Sequence, residues 1–161
     1  MKIKQNNIIF YIFTFCIVVS FIVIGVVISQ HEKIWFSEYQ QFETARNLIE
    51  NNKPNEALVN LIPLIKNERY KKSVTVIWTL GLAQAGIGDY ENALKNLSEV
   101  RIIKPFVLKD PFYLMQYGEA LYLSKDYNNA YNYFMAAKEL NNDEKYSQFI
   151  DQILTEIALQ K

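Results

Sequence analysis

Ile77-Trp78-Thr79-Leu80-Gly81-Leu82-Ala83-Gln84, followed by Gly88-Asp89-Tyr90-Glu91-Asn92-Ala93-Leu94, decides the fold, because the same pattern returns further along the chain. It recurs as Leu114 through Leu121 and then Lys125-Asp126-Tyr127-Asn128-Asn129-Ala130. Gly81 maps to Gly118, Tyr90 to Tyr127, Ala93 to Ala130, Leu97 to Phe134 and Val100 to Ala137, a constant offset of 37. A more worn copy lies 36 residues upstream, with Ala45, Leu48, Asn55-Glu56-Ala57-Leu58, Leu61 and Leu64. Self-similarity at such a period marks stacked supersecondary units.

The residue types state what each unit does. Gly81 and Gly118, and Ala57, Ala93 and Ala130, are small where two antiparallel helices must cross closely. Larger Leu, Phe and Tyr side chains at i, i+3, i+4 and i+7 give each pair an apolar face that only a stacked neighbour can bury. Helices are expected near 38–51 and 54–67, 73–87 and 90–103, and 111–124 and 127–141. Gly86 and Gly88 end the third of these, Asp89 and Asp126 cap the helices that follow, and Asp110-Pro111 is an N-cap before a first-turn proline. From Asp143 to Lys161, Tyr146, Phe149, Ile150, Ile153, Leu154 and Ile157 form one stripe opposite Asp151, Gln152, Thr155 and Glu156, as in a capping helix.

This pattern resembles the tetratricopeptide repeat (TPR), a helix-turn-helix unit of about 34 residues, over Tyr39 to Asn142. The middle copy carries it best, with Leu80-Gly81, Gly88, Tyr90, Ala93 and Pro105 at the family's spacing. The resemblance implies an all-α, right-handed α-solenoid of three helix pairs (about 38–70, 73–105 and 110–142) closed by the helix of 143–161. Ala45, Ala57, Gly81, Tyr90, Ala93, Gly118, Tyr127 and Ala130 are its repeat-defining residues. Two departures stand out. The first copy has Pro54 where the family has tyrosine and Pro63 inside its second helix, which should kink or shorten it. The link from Pro105 to Asp110 is three residues longer than the family's and should protrude.

Ahead of the repeats, Ile8 to Ile28 is 21 residues without a charge, long enough at 1.5 Å per residue to cross a bilayer core of about 30 Å. The expected organisation is a tail at 1–7, a transmembrane helix at 8–28 and a juxtamembrane linker at 29–37. A cleaved signal peptide is the rival reading, with Lys2 and Lys4 ahead of the apolar run and Val27-Ile28-Ser29 as the cleavage site, but the run exceeds the 7–15 residues of a signal core. Cys16 lies behind Phe15 within the run and reads as a small hydrophobe facing lipid. Lys2 and Lys4 before the helix against Lys33 just after it place the N-terminus in the cytoplasm and the repeats in the periplasm or another extracytoplasmic space, anchored in the inner membrane.

Composition excludes several functions. Without Lys2 and Lys4 the chain keeps 15 basic residues against 17 acidic ones, and no basic stripe awaits a nucleic acid. His31 is the single histidine and reads as an interfacial polar residue beside Glu32 and Lys33. No His/Cys/Asp/Glu cluster has metal-ligand spacing, and Gly86-Ile87-Gly88 is an interhelical turn and not a phosphate loop. The expectation is a chain without catalytic chemistry, cofactor, metal or small-molecule substrate.

What remains is a surface for proteins. In TPR proteins the first helices of successive pairs line a concave groove that holds partner segments. The resemblance places Phe42, Arg46 and Ile49, Trp78, Leu82 and Ala85, and Met115, Glu119 and Tyr122 there. Trp78 and Met115 have a second reading, as packing residues of a tight superhelix. The Lys/Asn carboxylate clamp of chaperone-tail binders is absent, since its positions hold Phe42 with Arg46 and Trp78 with Leu82. Tyr113, Tyr117, Tyr122, Tyr127, Tyr131, Tyr133 and Tyr146 exceed what one core stripe holds and suggest an exposed aromatic patch. Three readings follow: a scaffold of an envelope complex (secretion, pilus, flagellar-motor or cytochrome-maturation type), a periplasmic client-binding holdase or translocon-associated chaperone, and a homo-oligomerising structural protein.

Overall fold

The computed structural model describes residues 2–160, and of residues 2–9, 11 and 12 the backbone alone. Met1 and Lys161, which open the expected tail and close the expected capping helix, lie outside the described residues, as do the side chains of Lys2, Lys4 and Ile8. Among the described residues there are seven α-helices and no strand: α1 (Lys2–Glu50), α2 (Pro54–Lys66), α3 (Val74–Gly86), α4 (Tyr90–Ile103), α5 (Pro111–Leu123), α6 (Tyr127–Leu140) and α7 (Glu144–Ala158). A 3-10 turn, Pro105–Lys109, joins α4 to α5. The chain divides into two compact units, Met1–Gln40 and Gln41–Lys161.

In the first unit α1 is apolar, with mean hydropathy 2.4 over its best 18-residue window and none of that window buried. Two hydroxyls in the apolar stretch are satisfied within the helix: Thr14 Oγ1 donates to the carbonyl of Phe10 at 2.9 Å and Ser20 Oγ to that of Cys16 at 2.8 Å. Residues 29–37 are helical throughout and continue α1 without a break. The reason is in the sequence: between Gly25 and Asn51 no glycine, proline or turn pair interrupts a helix whose carbonyls would otherwise need new partners.

The second unit begins with the last stretch of α1, which pairs with α2 as α3 pairs with α4 and α5 with α6. Each crossing is made where the small residues stand. A methyl group on Gly81 would sit 3.0 Å from Leu97 Cγ and 3.3 Å from the Ala93 carbonyl oxygen, and one on Gly118 3.2 Å from the Phe134 ring. Ala45, at the equivalent place in the first pair, is fully buried. Three sets of equivalent positions, Ala57/Ala93/Ala130, Leu61/Leu97/Phe134 and Leu64/Val100/Ala137, are all at most 2% exposed, so every copy buries the same face.

The turn inside each pair repeats to the level of single hydrogen bonds. Asn52, Gly88 and Lys125 share one position and all have positive φ, 57°, 83° and 68°. The next N–H reaches back over the turn in each: Lys53 to Leu48 at 2.8 Å, Asp89 to Gln84 at 2.9 Å and Asp126 to Leu121 at 2.9 Å. Together with the bonds Asn52 to Ile49, Gly88 to Ala85 and Lys125 to Tyr122, this is the paired closure of a Schellman motif. Asp89 and Asp126 then cap α4 and α6 by accepting from Asn92 and Asn129, while Asp110 caps α5 by accepting from Phe112.

Pro63 does not shorten α2, which continues to Lys66. Its ring lies on the exposed face, and the carbonyl that its missing N–H would have met belongs to Val59, a residue 71% exposed. The link 104–110 is matched in length by 67–73 between α2 and α3, so the extra residues belong to the period and are not a private insertion. It does not simply protrude either, since Val107 is buried at its centre.

Two apolar clusters fill the solenoid. Ala45, Ala57, Leu61, Leu64, Val76, Leu80 and Ala83 join the first two pairs. A larger one runs from Ile77 through Tyr113, Phe134 and Ile150 to Ile157 on α7. Lys138 on α6 also forms an ion pair with Asp151 on α7.

Candidate functional site

A groove runs across the first helices of the three pairs. One section, about 240 Å³, is lined by Phe42 and Arg46 of α1, Thr75, Trp78, Thr79 and Leu82 of α3, and Phe112 and Gln116 of α5. The adjoining section, about 310 Å³, is lined by Ile49, Leu82, Ala85, Gly86, Gln116, Glu119, Ala120 and Leu123. Leu82 and Gln116 belong to both, which makes the surface continuous.

Helical spacing explains which side chains reach it. Phe42, Arg46 and Ile49 are one stripe of α1, and Trp78, Leu82 and Ala85 one stripe of α3. All six line the groove, as does Glu119. Met115 and Tyr122 do not. Met115 is buried and faces a separate cavity of about 550 Å³ that it shares with Tyr146 and Ile150 of α7. Tyr122 donates from its hydroxyl to Glu156 of α7 at 3.0 Å. Both are equivalents of residues that point along the solenoid toward the next first helix. In the last pair that follower is α7, so the cap takes them. Phe112, Gln116, Ala120 and Leu123, one residue round the helix, line the groove instead.

Both readings of Trp78 hold at once. Its ring packs edge-on against Tyr113 at 5.2 Å, and its indole N–H donates to Gln116 Oε1 at 2.7 Å. The polar tip is thereby fixed while the rest of the ring forms groove wall, the arrangement that suits tryptophan to contact surfaces. Arg46 lies between Glu43, at 3.2 Å, and Glu50, at 4.0 Å. Its charge is largely answered by exposed carboxylates, so the groove is not an anion trap. Glu119 reaches solvent, yet the groove walls withhold water from its carboxyl and push its pKa above the usual carboxylate value.

The tyrosines do not form an exposed patch. Tyr113 is fully buried and donates to the Leu97 carbonyl at 2.6 Å, and burial pushes its phenol pKa far up. Tyr117 stacks on Tyr133 at 4.5 Å and shares a 2.7 Å hydrogen bond with Ser98. Arg101 donates to the Tyr133 hydroxyl at 2.7 Å and lies 5.5 Å from the Tyr117 ring centroid. Tyr122 packs with Tyr127, and Tyr146 with Phe112. Only Tyr131 and Tyr146 reach even 36% exposure among the seven. The surplus cements the contacts between helix pairs.

Known structures share this fold. The type III secretion translocator chaperone SycD of Yersinia enterocolitica superposes with a TM-score of 0.60 at 21% identity, over 76% of this chain and 83% of that one. PcrH, in complex with the chaperone-binding region of PopD, gives 0.59 at 18% identity, over 76% and 91%. The second TPR domain of human RPAP3, in complex with an HSP70 peptide, gives 0.57 at 15% identity, over 75% and 98%. The fold is a TPR-like α-solenoid. No protein-family model matches the sequence, and no curated protein matches it. The TPR-like solenoid is therefore shown by helix geometry and internal repetition. Among its described residues, no group of three or more His, Cys, Asp or Glu could hold a metal ion.

Proposed function

We propose that this chain is a non-catalytic adaptor held at a membrane by α1, whose TPR-like groove grips a segment of a partner protein. The observation that carries the reading is the groove itself. It is a continuous, mainly apolar channel that presents Phe42, Trp78, Phe112 and Arg46, residue types enriched where proteins meet. An uncovered apolar helix in which the Thr14 and Ser20 hydroxyls are internally satisfied suits the bilayer, where unpaired polar groups are costly. Anchoring raises the effective concentration of groove and partner, so modest affinity suffices. The proposed location is the inner membrane, N-terminus inside, with the solenoid on the extracytoplasmic side.

A second reading, capture of unfolded or unassembled clients, is favoured by what the similar structures bind. SycD has been solved with a peptide of the translocator YopD, and PcrH with a region of PopD. Affinity capture of the full-length protein from membranes in mild detergent separates the two. A fixed, stoichiometric set of partners supports the adaptor and a heterogeneous mixture the client binder. In either case Phe112→Glu or Leu123→Glu, both at exposed groove positions, should abolish capture while leaving helicity intact. Capture unaffected by both substitutions would remove the groove from the account.

A further inference from the structure

We propose that the end of α4 and the turn that follows it, residues 101–109 between the second and third helix pairs, dock on an anionic lipid surface, independently of what the groove binds. The sequence there is Arg101-Ile102-Ile103-Lys104-Pro105-Phe106-Val107-Leu108-Lys109, three cations and no acid; Arg101 is held by Tyr133, and Lys104 and Lys109 are the exposed cations. Ile102 is 76% and Phe106 75% exposed, with Ile103 and Leu108 also exposed. Large apolar side chains interleaved with cations are the composition of an interfacial membrane contact, in which rings and aliphatic chains enter the acyl boundary and ammonium groups stay at the phosphates. The nearest acids along the chain are Glu99 and Asp110, and Asp110 is engaged in capping α5.

The exposure is built in. Pro105 opens the 3-10 turn, and buried Val107 pins its centre to the core, which turns Phe106 and Leu108 outward on either side. Lys109 lies over the Phe106 ring, 5.9 Å from its centroid. The link between the first two pairs is an internal control. It has the same length and is pinned at the equivalent place by half-buried Tyr70, yet its outward positions are Arg69 and Lys71 where the second link has Phe106 and Leu108. The fold therefore does not require apolar residues there, and leaving them in water costs solubility that a lipid surface would recover.

The test is a fluorescent label read in proteoliposomes of the full chain. With Cys16→Ser as background, an environment-sensitive dye is placed by Phe106→Cys or, as control, by Lys71→Cys, in vesicles with and without anionic lipid. In anionic vesicles, brominated acyl chains should quench the label at 106 at least about twofold more than the label at 71. Exchange to zwitterionic lipid, or the pair Lys104→Glu and Lys109→Glu, should remove that difference. Equal quenching at both sites, or none at 106, overturns the proposal. So does a blue-shifted but unquenched label at 106, which would mean that protein covers the turn.

Discussion

Lys125 holds a backbone conformation that glycine would adopt freely, and replacing it tests whether the three turns are copies of one another. Its φ of 68° lies in the left-handed region, which costs a side-chain-bearing residue about 1–2 kcal/mol. Lys125→Gly removes that strain but returns about 0.5–1 kcal/mol through the greater entropy of glycine in the unfolded chain. The net expectation is stabilisation by about 0.5–1 kcal/mol. Gly88→Ala runs the same balance backwards. Its φ is 83°, and a methyl there would meet nothing nearer than the Tyr90 hydroxyl at 4.0 Å, so conformation alone decides and the loss should be of similar size, about 0.5–1 kcal/mol. Asn52→Gly should be close to neutral, because asparagine tolerates this region. Urea unfolding of the full chain in mild detergent, followed by circular dichroism, resolves these differences, which correspond to about 2–5 °C in Tm for a domain of this size. Destabilisation by Lys125→Gly alongside a neutral Gly88→Ala would refute the shared turn.

Other substitutions probe the packing. Phe134→Ala, at a fully buried position against Gly118, should cost about 3–5 kcal/mol by the same unfolding assay. Tyr113→Phe removes the second of two hydrogen bonds to the Leu97 carbonyl, which keeps its partner within α4, and should cost about 0.5–1.5 kcal/mol, leaving helicity unchanged. Glu119→Gln addresses pH. A carboxyl with its pKa raised in the folded state holds its proton more tightly there than in the unfolded chain. Stability therefore falls as pH rises from the ordinary carboxylate value through the raised one, and stays lower above it. The variant should be the more stable protein at neutral pH and lose that advantage below the ordinary carboxylate range, as a series of melts across pH would show.

The helix pairs were legible because their constraint is local and repeated. Gly81, Gly118 and the three alanines have few alternatives where axes cross, and Asp89, Asp110 and Asp126 all cap the helices expected of them. The residues facing the groove were legible on α1 and α3 but not fully on α5. Met115 and Tyr122 occupy the right register, yet what covers them is α7, a helix outside the repeat. The tyrosine surplus misled for a related reason. Composition counts rings but not the hydroxyl partners, here Ser98, Arg101, Glu156 and the Leu97 carbonyl, that let phenols pack between pairs. Helicity across 29–37 follows from the absence of any residue that would end the helix there, a signal that a membrane boundary does not override.

The most direct test of the groove as a binding surface is site-specific photocrosslinking in native membranes. A photoreactive residue at Leu82, on the groove floor, should yield a discrete adduct with another protein, and one at Lys95, on the exposed face of α4, should not. No adduct at Leu82, or the same adducts from both positions, would contradict the account.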